Sequence, residues 1–223
     1  MANNTIIFDL DHTLLNSQEL KKRLAIIMDI DTDLYNESYK ERFGNRNEPY
    51  SLDKHIKFLQ SKGRVKNGEI EFFRIKKKLD KDLPDLSSFL FKKYSEVIKQ
   101  SGGENDEKIL LTFGNQVWQK KKIEKLSVLK PLFDRIIIEE KEKENSELLK
   151  ELANKEEKVV IVNDNLIETV KMLEVIGEEK CEVKIIKSIH SEKETDREFA
   201  EERGFEYYKS IEDLFNGEDD EKK

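Results

Sequence analysis

The chain has 223 residues, of which 40% are charged and 36% hydrophobic, with a formal net charge of −7. No apolar run approaches the roughly 20 residues needed to cross a bilayer, which excludes a helical membrane span, and the negative balance argues against general nucleic-acid binding. The single cysteine, Cys181, can form no intrachain disulfide and no multi-cysteine metal site.

The length allows one α/β domain with a large insertion, or two small domains. No basic-then-apolar leader opens the chain, so the expectation is a cytoplasmic protein. The first element is an apolar run, Thr5-Ile6-Ile7-Phe8, read as a buried strand and followed at once by Asp9-Leu10-Asp11-His12-Thr13. Two carboxylates two residues apart point the same way if the backbone stays extended, and His12 then faces away from them. At the carboxyl end of a strand such a pair lies in the crevice where open α/β sheets bind ligands. One carboxylate suits attack on phosphorus, and the other suits proton transfer with the leaving group.

Residues 15–108 carry no strong strand pattern. Asn16 with Glu19 resembles a capping box, and Leu20, Leu24 and Ile27 follow at helical spacing. Further helices are expected over 33–42, after Ser51 (Leu52, Ile56, Leu59), around Ile70, Phe73 and Leu79, and over 86–98 beyond the break at Pro84. Phe72 and Phe73 read as core, and Phe43, Tyr50 and Phe58 as candidates to line an opening. From 109 onward strands and helices alternate. Strands are expected at 109–112, 135–138, 159–162, 183–186 and 205–208, with helices at 115–126, 146–155 and 166–177 and a last one capped by Ser210. This alternation predicts βαβ units and a parallel sheet. The expected organisation is a Rossmann-like α/β core from 1–14 and 109–217, a helical cap over 15–108, and a charged tail over 218–223.

With these motifs in order, the chain resembles the haloacid dehalogenase-like superfamily over its whole length, in the phosphatase branch with a helical C1-type cap. The resemblance implies that Asp9 is a nucleophile and Asp11 a general acid and base, with the Asp11 backbone carbonyl on a metal. It implies that Thr112, ending the second strand, bonds a phosphate oxygen, with Gly114 and Asn115 offering amides at the helix start; Phe113-Gly114 departs from the family's usual Asn-Gly. A lysine is expected after the third strand. Lys143 heads a frame, Lys143-Glu144-Asn145-Ser146-Glu147, that aligns without a gap, with Lys141 and Lys150 as competitors. Asp164 matches the family's metal-binding acid, and Glu168 stands where a second acid is common; Thr13 and Glu168 are supporting residues. Asn163 replaces the more usual Gly or Asp.

Physical logic adds a cofactor. Asp9, Asp11 and Asp164 would gather anions that repel each other and a phosphate, and a hard cation such as Mg²⁺ resolves this with one or two carboxylates. Dehalogenation is disfavoured because Asp11 is an acid where dehalogenases have none. The resulting expectation is an Mg²⁺-dependent phosphatase acting on a small phosphorylated metabolite, a nucleotide or sugar phosphate. The alternatives are a phosphomutase of the same fold and a non-catalytic binding protein. The triplets Lys76-Lys77-Lys78 and Lys120-Lys121-Lys122 read as solvated helix faces rather than a nucleic-acid platform, lacking interleaved aromatics. His55 and His190 show no metal-ligand spacing, and Cys181 reads as a structural thiol.

Overall fold

A computed structural model describes residues 4–44, 48–140, 142–187 and 194–218. Six parallel strands form one sheet: β1 (Thr5–Phe8), β2 (Glu107–Phe113), β3 (Arg135–Glu139), β4 (Val159–Asn163), β5 (Cys181–Ile186) and β6 (Glu206–Tyr208). Their order is β3-β2-β1-β4-β5-β6, so the topology reverses at β1. A crevice opens at the carboxyl ends where strand order reverses. The inner strands β1, β2 and β4 are largely buried on both faces, as in all-parallel sheets, while the edge strands β3 and β6 are only partly covered. Ile6 and Phe8 join one apolar cluster and Ile7 the other, which is the period-two alternation of a strand.

The helices of the core fall on both sides of the sheet. Buried residues of α7 (Glu147–Ala153), α8 (Leu166–Ile176) and α9 (Glu194–Glu202) pack with Ile7, Leu111 and Ile161. Those of α6 (Gln116–Lys125) pack on the other face with Phe8 and Leu110. The predicted 205–208 strand is β6, but the segment after Ser210 is a 3-10 helix, Ile211–Glu218. Ser210 donates its hydroxyl to Asp213 Oδ2 at 2.9 Å, and its carbonyl accepts from Asp213 N at 3.2 Å. The rest of the predicted tail, 219–223, lies outside the described residues.

Between β1 and β2 run α1 (Ser17–Met28), α2 (Thr32–Phe43), α3 (Leu52–Ser61), α4 (Glu69–Asp82) and α5 (Tyr94–Gln100). Side-chain caps start the first three: Asn16 accepts from Glu19 N, Asp31 from Leu34 N and Ser51 from Lys54 N. Two expectations fail here. Ile70 and Phe73 are not core: they are 89% and 63% exposed, because α4 turns Ile75 and Leu79 inward instead. The continuous helix over 86–98 is broken into a 3-10 turn, Ser87–Phe89, and α5. The break occurs because Leu90 pairs with Leu15 as an antiparallel bridge and Lys93 takes φ 58°. Asn16 N donates to Phe89 O at 2.8 Å and Phe91 N to Leu14 O at 3.0 Å. The two chain crossings between sheet and inserted helices are thus joined by backbone hydrogen bonds. Beyond them α5 packs against the 3-10 segments Lys130–Leu132 and Ile211–Glu218 of the core.

Candidate active site

Asp9 follows β1 directly, and its amide donates to Val162 O on β4 at 3.0 Å. Phe8 is level with Val162 across the β1–β4 pair, so Asp164 follows the neighbouring strand just past the level of Asp9. The two acids, 155 positions apart in the chain, therefore leave adjacent strands at the same end of the sheet. Asp164 is half-buried.

Lys143 reaches Asp9 from the far side of β2. It lies in a 3-10 turn, Lys143–Asn145, after β3. That turn is fixed by Ser146, which accepts from Leu148 N to cap α7 and donates to Glu139 Oε1 at the end of β3. The result is a buried lysine, 2% exposed, whose Nζ lies 2.5 Å from Asp9 Oδ1 and 2.9 Å from Glu168 Oε2. Glu168 is set on the first turn of α8, where Asn165 caps its amide and Asn163 Nδ2 donates to its Oε2 at 3.2 Å. Lys141, the competitor, lies outside the described residues. Burial alone disfavours the Lys143 ammonium, but Asp9 and Glu168 hold it above its usual range. Burial pushes the Asp9 carboxyl up, to about 6; Lys143 pulls against this, while Glu168 and Asp11 add to it.

Asp11 is held elsewhere. The backbone turns after it: Leu14 N and Leu15 N both donate to Leu10 O, and His12 sits at φ 67°. Strand alternation therefore does not extend to His12, and the expectation that it faces away from the acids on that ground does not apply. The Asp11 carboxylate accepts from Ser17 Oγ at 2.5 Å, Lys122 Nζ at 2.5 Å and Gln119 Nε2 at 3.3 Å. Burial raises its pKa, but Lys122 and the Ser17 hydroxyl outweigh this and hold the carboxyl far below its ordinary range. Lys122 is 3% exposed, which corrects the reading of Lys120-Lys121-Lys122 as a solvated face.

The phosphate-binding candidates divide. Thr112 is buried at the carboxyl end of β2, level with Ile138. Gly114 does not offer its amide: that N–H donates to Glu139 O at 2.9 Å, because the chain folds back onto the end of β3 there. Gly114 has φ 148°, and a Cβ on it would come within 2.8 Å of Gln119 Nε2. The glycine thus makes room for the side chain that bridges Phe113 O and Asp11. Asn115 accepts from Trp118 N as the cap of α6. Thr13 is fully buried beside the loop. Phe43 packs inside the inserted helices against Tyr50 and His55. Burial pushes the Cys181 thiol up to about 12, which suits a structural thiol.

Sequence reasoning missed Ser17, Gln119 and Lys122. Gln119, Lys122 and Ile123 share the buried side of α6, so polar groups stand on its apolar stripe.

Among the described residues no three His, Cys, Asp or Glu side chains converge as a metal cluster. Two carboxylates, Asp9 and Glu168, do share one ammonium, Lys143. The excess negative charge, with Asp164 leaving the adjacent strand at the same end of the sheet, suits a cation that takes few carboxylates and only oxygen ligands.

No protein-family model matches the chain, and no curated protein matches it. Solved structures do. A protein described as a haloacid dehalogenase-like hydrolase from Burkholderia xenovorans superposes with a TM-score of 0.72 at 16% identity, over 96% of this chain and 98% of its own. The chain has the haloacid dehalogenase-like fold. A protein described as a β-phosphoglucomutase from Thermotoga maritima shares this fold, with a TM-score of 0.64 at 18% identity over 97% of this chain and 99% of its own. So does the HAD-hydrolase YfnB from Bacillus subtilis, a structure bound to magnesium, at 0.62 and 17% identity over 97% of this chain and 98% of its own. Structures described as a dehalogenase and as an L-2-haloacid dehalogenase from Xanthobacter autotrophicus are similar as well. Hydrolase, mutase and dehalogenase are thus all names attached to this fold, and the chemistry must be argued from the side chains.

Proposed function

We propose that this haloacid dehalogenase-like chain is an Mg²⁺-dependent phosphomonoester hydrolase that acts through an aspartyl-phosphate on a small phosphorylated metabolite, a nucleotide or sugar phosphate. The observation that carries the reading is the separation of the two acids of the first loop onto different cations. Asp9 meets Lys143, and Asp11 meets Lys122 with Ser17 and Gln119. One carboxylate is thereby left to attack, and the other is mounted independently to handle the proton.

An Asp9 oxygen attacks phosphorus as the bond to the leaving oxygen breaks, and Asp11, protonated once the substrate's phosphate dianion lies beside it and opposes its ionisation, passes that proton to the leaving oxygen. Asp11 then takes a proton from water, which attacks the same phosphorus, frees Asp9 and releases inorganic phosphate. Lys143 balances charge on Asp9 and on the transferring oxygens, and the Thr112 hydroxyl donates to one of them. Asp9, Asp164 and the Asp11 carbonyl would hold Mg²⁺, which when bound neutralises and polarises the phosphoryl group. Asp11 also argues against dehalogenation, since a halide leaves without a proton.

The test is release of inorganic phosphate from a panel of phosphomonoesters with Mg²⁺. Asp9→Asn, close to isosteric, is expected to abolish turnover while leaving the fold intact by circular dichroism. Substantial residual turnover would remove Asp9 from the role. The likeness to a β-phosphoglucomutase structure supports a second reading, a phosphomutase, for which the same incubations followed by phosphorus NMR would show an isomerised phosphate ester in place of free phosphate.

A further inference from the structure

The helix that follows the catalytic loop carries a half-buried cation, Lys21. Ser17, in the first turn of α1, donates to Asp11 Oδ1 at 2.5 Å. Residues four apart share a helix face, so Lys21 stands one turn further along the same side. It is only partly exposed, and it lies within electrostatic reach of both Asp11 and Lys122. The other buried or half-buried lysines around this cleft hold carboxylates: Lys143 with Asp9 and Glu168, Lys122 with Asp11, Lys121 and Lys125 with Asp80. Lys21 forms no salt bridge among the described residues. Its ammonium lies over the Tyr39 ring, 4.4 Å from the centroid. A ring face attracts a cation but carries no formal charge to cancel it. Burial accordingly pushes the Lys21 ammonium down.

The surroundings of Lys21 extend back to the core. Tyr39 and Tyr50 lie 5.2 Å apart between ring centroids, and Tyr50 meets Trp118 at 6.0 Å. Trp118 is one turn before Lys122 on α6. A run of rings thus leads from the Lys21 ammonium to the helix that anchors Asp11, on the side where a leaving group would receive its proton.

We propose that Lys21 and Tyr39 form a leaving-group subsite for a second anionic group, so that the substrate is a phosphomonoester whose leaving group itself carries a carboxylate or a further phosphate. This deepens the phosphatase reading and rests on it for the identity of the reacting phosphate. The subsite supplies a half-buried cation at one end and aromatic ring surface beside it, and it selects against leaving groups that are neutral or cationic.

The experiment compares phenyl phosphate, 4-carboxyphenyl phosphate and 1,4-phenylene bisphosphate as substrates of the full chain with Mg²⁺. The two charged esters are expected to show about tenfold lower KM than phenyl phosphate. That preference should collapse toward unity in Lys21→Met, persist in Lys21→Arg, and invert in Lys21→Glu toward 4-(trimethylammonio)phenyl phosphate. Which charged ester is preferred distinguishes a carboxylate from a phosphate as the second group. The same comparison is made by calorimetry with non-hydrolysable benzylphosphonate and 4-carboxybenzylphosphonate. Preferential, Lys21-dependent binding without turnover of any ester would retain the subsite and reject the phosphatase reading. Equal or absent binding of the two phosphonates, or a preference that survives in Lys21→Met, would overturn the subsite.

Discussion

Each buried lysine of the site lies against one carboxylate of the first loop. Lys143 is 134 positions from Asp9 and Lys122 is 111 from Asp11, so neither pair is local. Lys143→Met removes the ammonium that pairs with both Asp9 and Glu168. Turnover is expected to fall roughly 10²- to 10³-fold, the scale of losing one charge-stabilising donor. Steady-state rates with Mg²⁺, with folding checked by circular dichroism, measure it. Lys122→Met should act differently. It loosens the group that handles the leaving-group proton, so alkyl phosphates are expected to lose roughly 10²-fold in kcat and activated aryl phosphates much less. Equal losses on both substrate types would mean that Lys122 is a structural pair only. Asp9 and Asp11 were legible because two acids at a strand end stand out against an apolar run. Lys122 was not, because a lysine triplet on a charged helix carries no mark of which member turns inward.

Helix α6 joins several parts of the site. Its cap, Asn115, follows the Gly114 turn; its buried side presents Gln119 and Lys122 to Asp11; and Trp118 meets Tyr50 of the inserted helices. Within those helices His55 is fully buried and surrounded by Tyr35, Tyr39, Phe43 and Tyr50. Its Nε2 lies 2.8 Å from Ser38 Oγ. Burial holds its pKa at about 4 instead of 6.5. A base whose folded pKa is depressed stabilises the fold above its unfolded pKa, and loses that contribution as pH falls through the folded value. Stability is therefore expected to drop by roughly 3 kcal/mol between pH 6.5 and 4 on account of His55. Urea unfolding at pH 7 and pH 4.5 measures the drop, and His55→Gln should show a correspondingly shallower one. The caps of α1, α2 and α3 were readable as local side-chain chemistry. The inward face of α4 was not: Ile70, Phe73 and Leu79 make a plausible stripe, yet the neighbouring helices cover Ile75 and Leu79 and leave the first two in solvent.

At the scale of the molecule, the sheet brings the carboxyl ends of β1 and β4 side by side, and the inserted helices rise from the same edge through two crossings bonded to each other at Asn16–Phe89 and Leu14–Phe91. Asp9, Glu168 and Asp164 lie in that region with Lys143. Chelation with EDTA is expected to abolish turnover and added Mg²⁺ to restore it. Mg²⁺ should also raise the melting temperature in a concentration-dependent way, since a ligand that binds only the folded chain stabilises it by mass action. Differential scanning fluorimetry across a Mg²⁺ titration checks this apart from activity; an unmoved melting temperature would count against Asp9 and Asp164 as metal ligands.

The order of strands and helices, the parallel α/β class, the insertion after the first strand and the strand-end position of Asp9 and Asp11 were all determined by the sequence itself. They depend on periodicity and on neighbours a few residues apart, which a linear reading contains. Tertiary structure decided the rest. It chose Lys143 for Asp9, turned Lys122 inward to Asp11, took the Gly114 amide for Glu139 and set Lys21 over the Tyr39 ring. These outcomes depend on which distant segments the sheet register sets side by side. A buried charge settles on whatever partner that register delivers, because an unpaired charge is costly to keep from water.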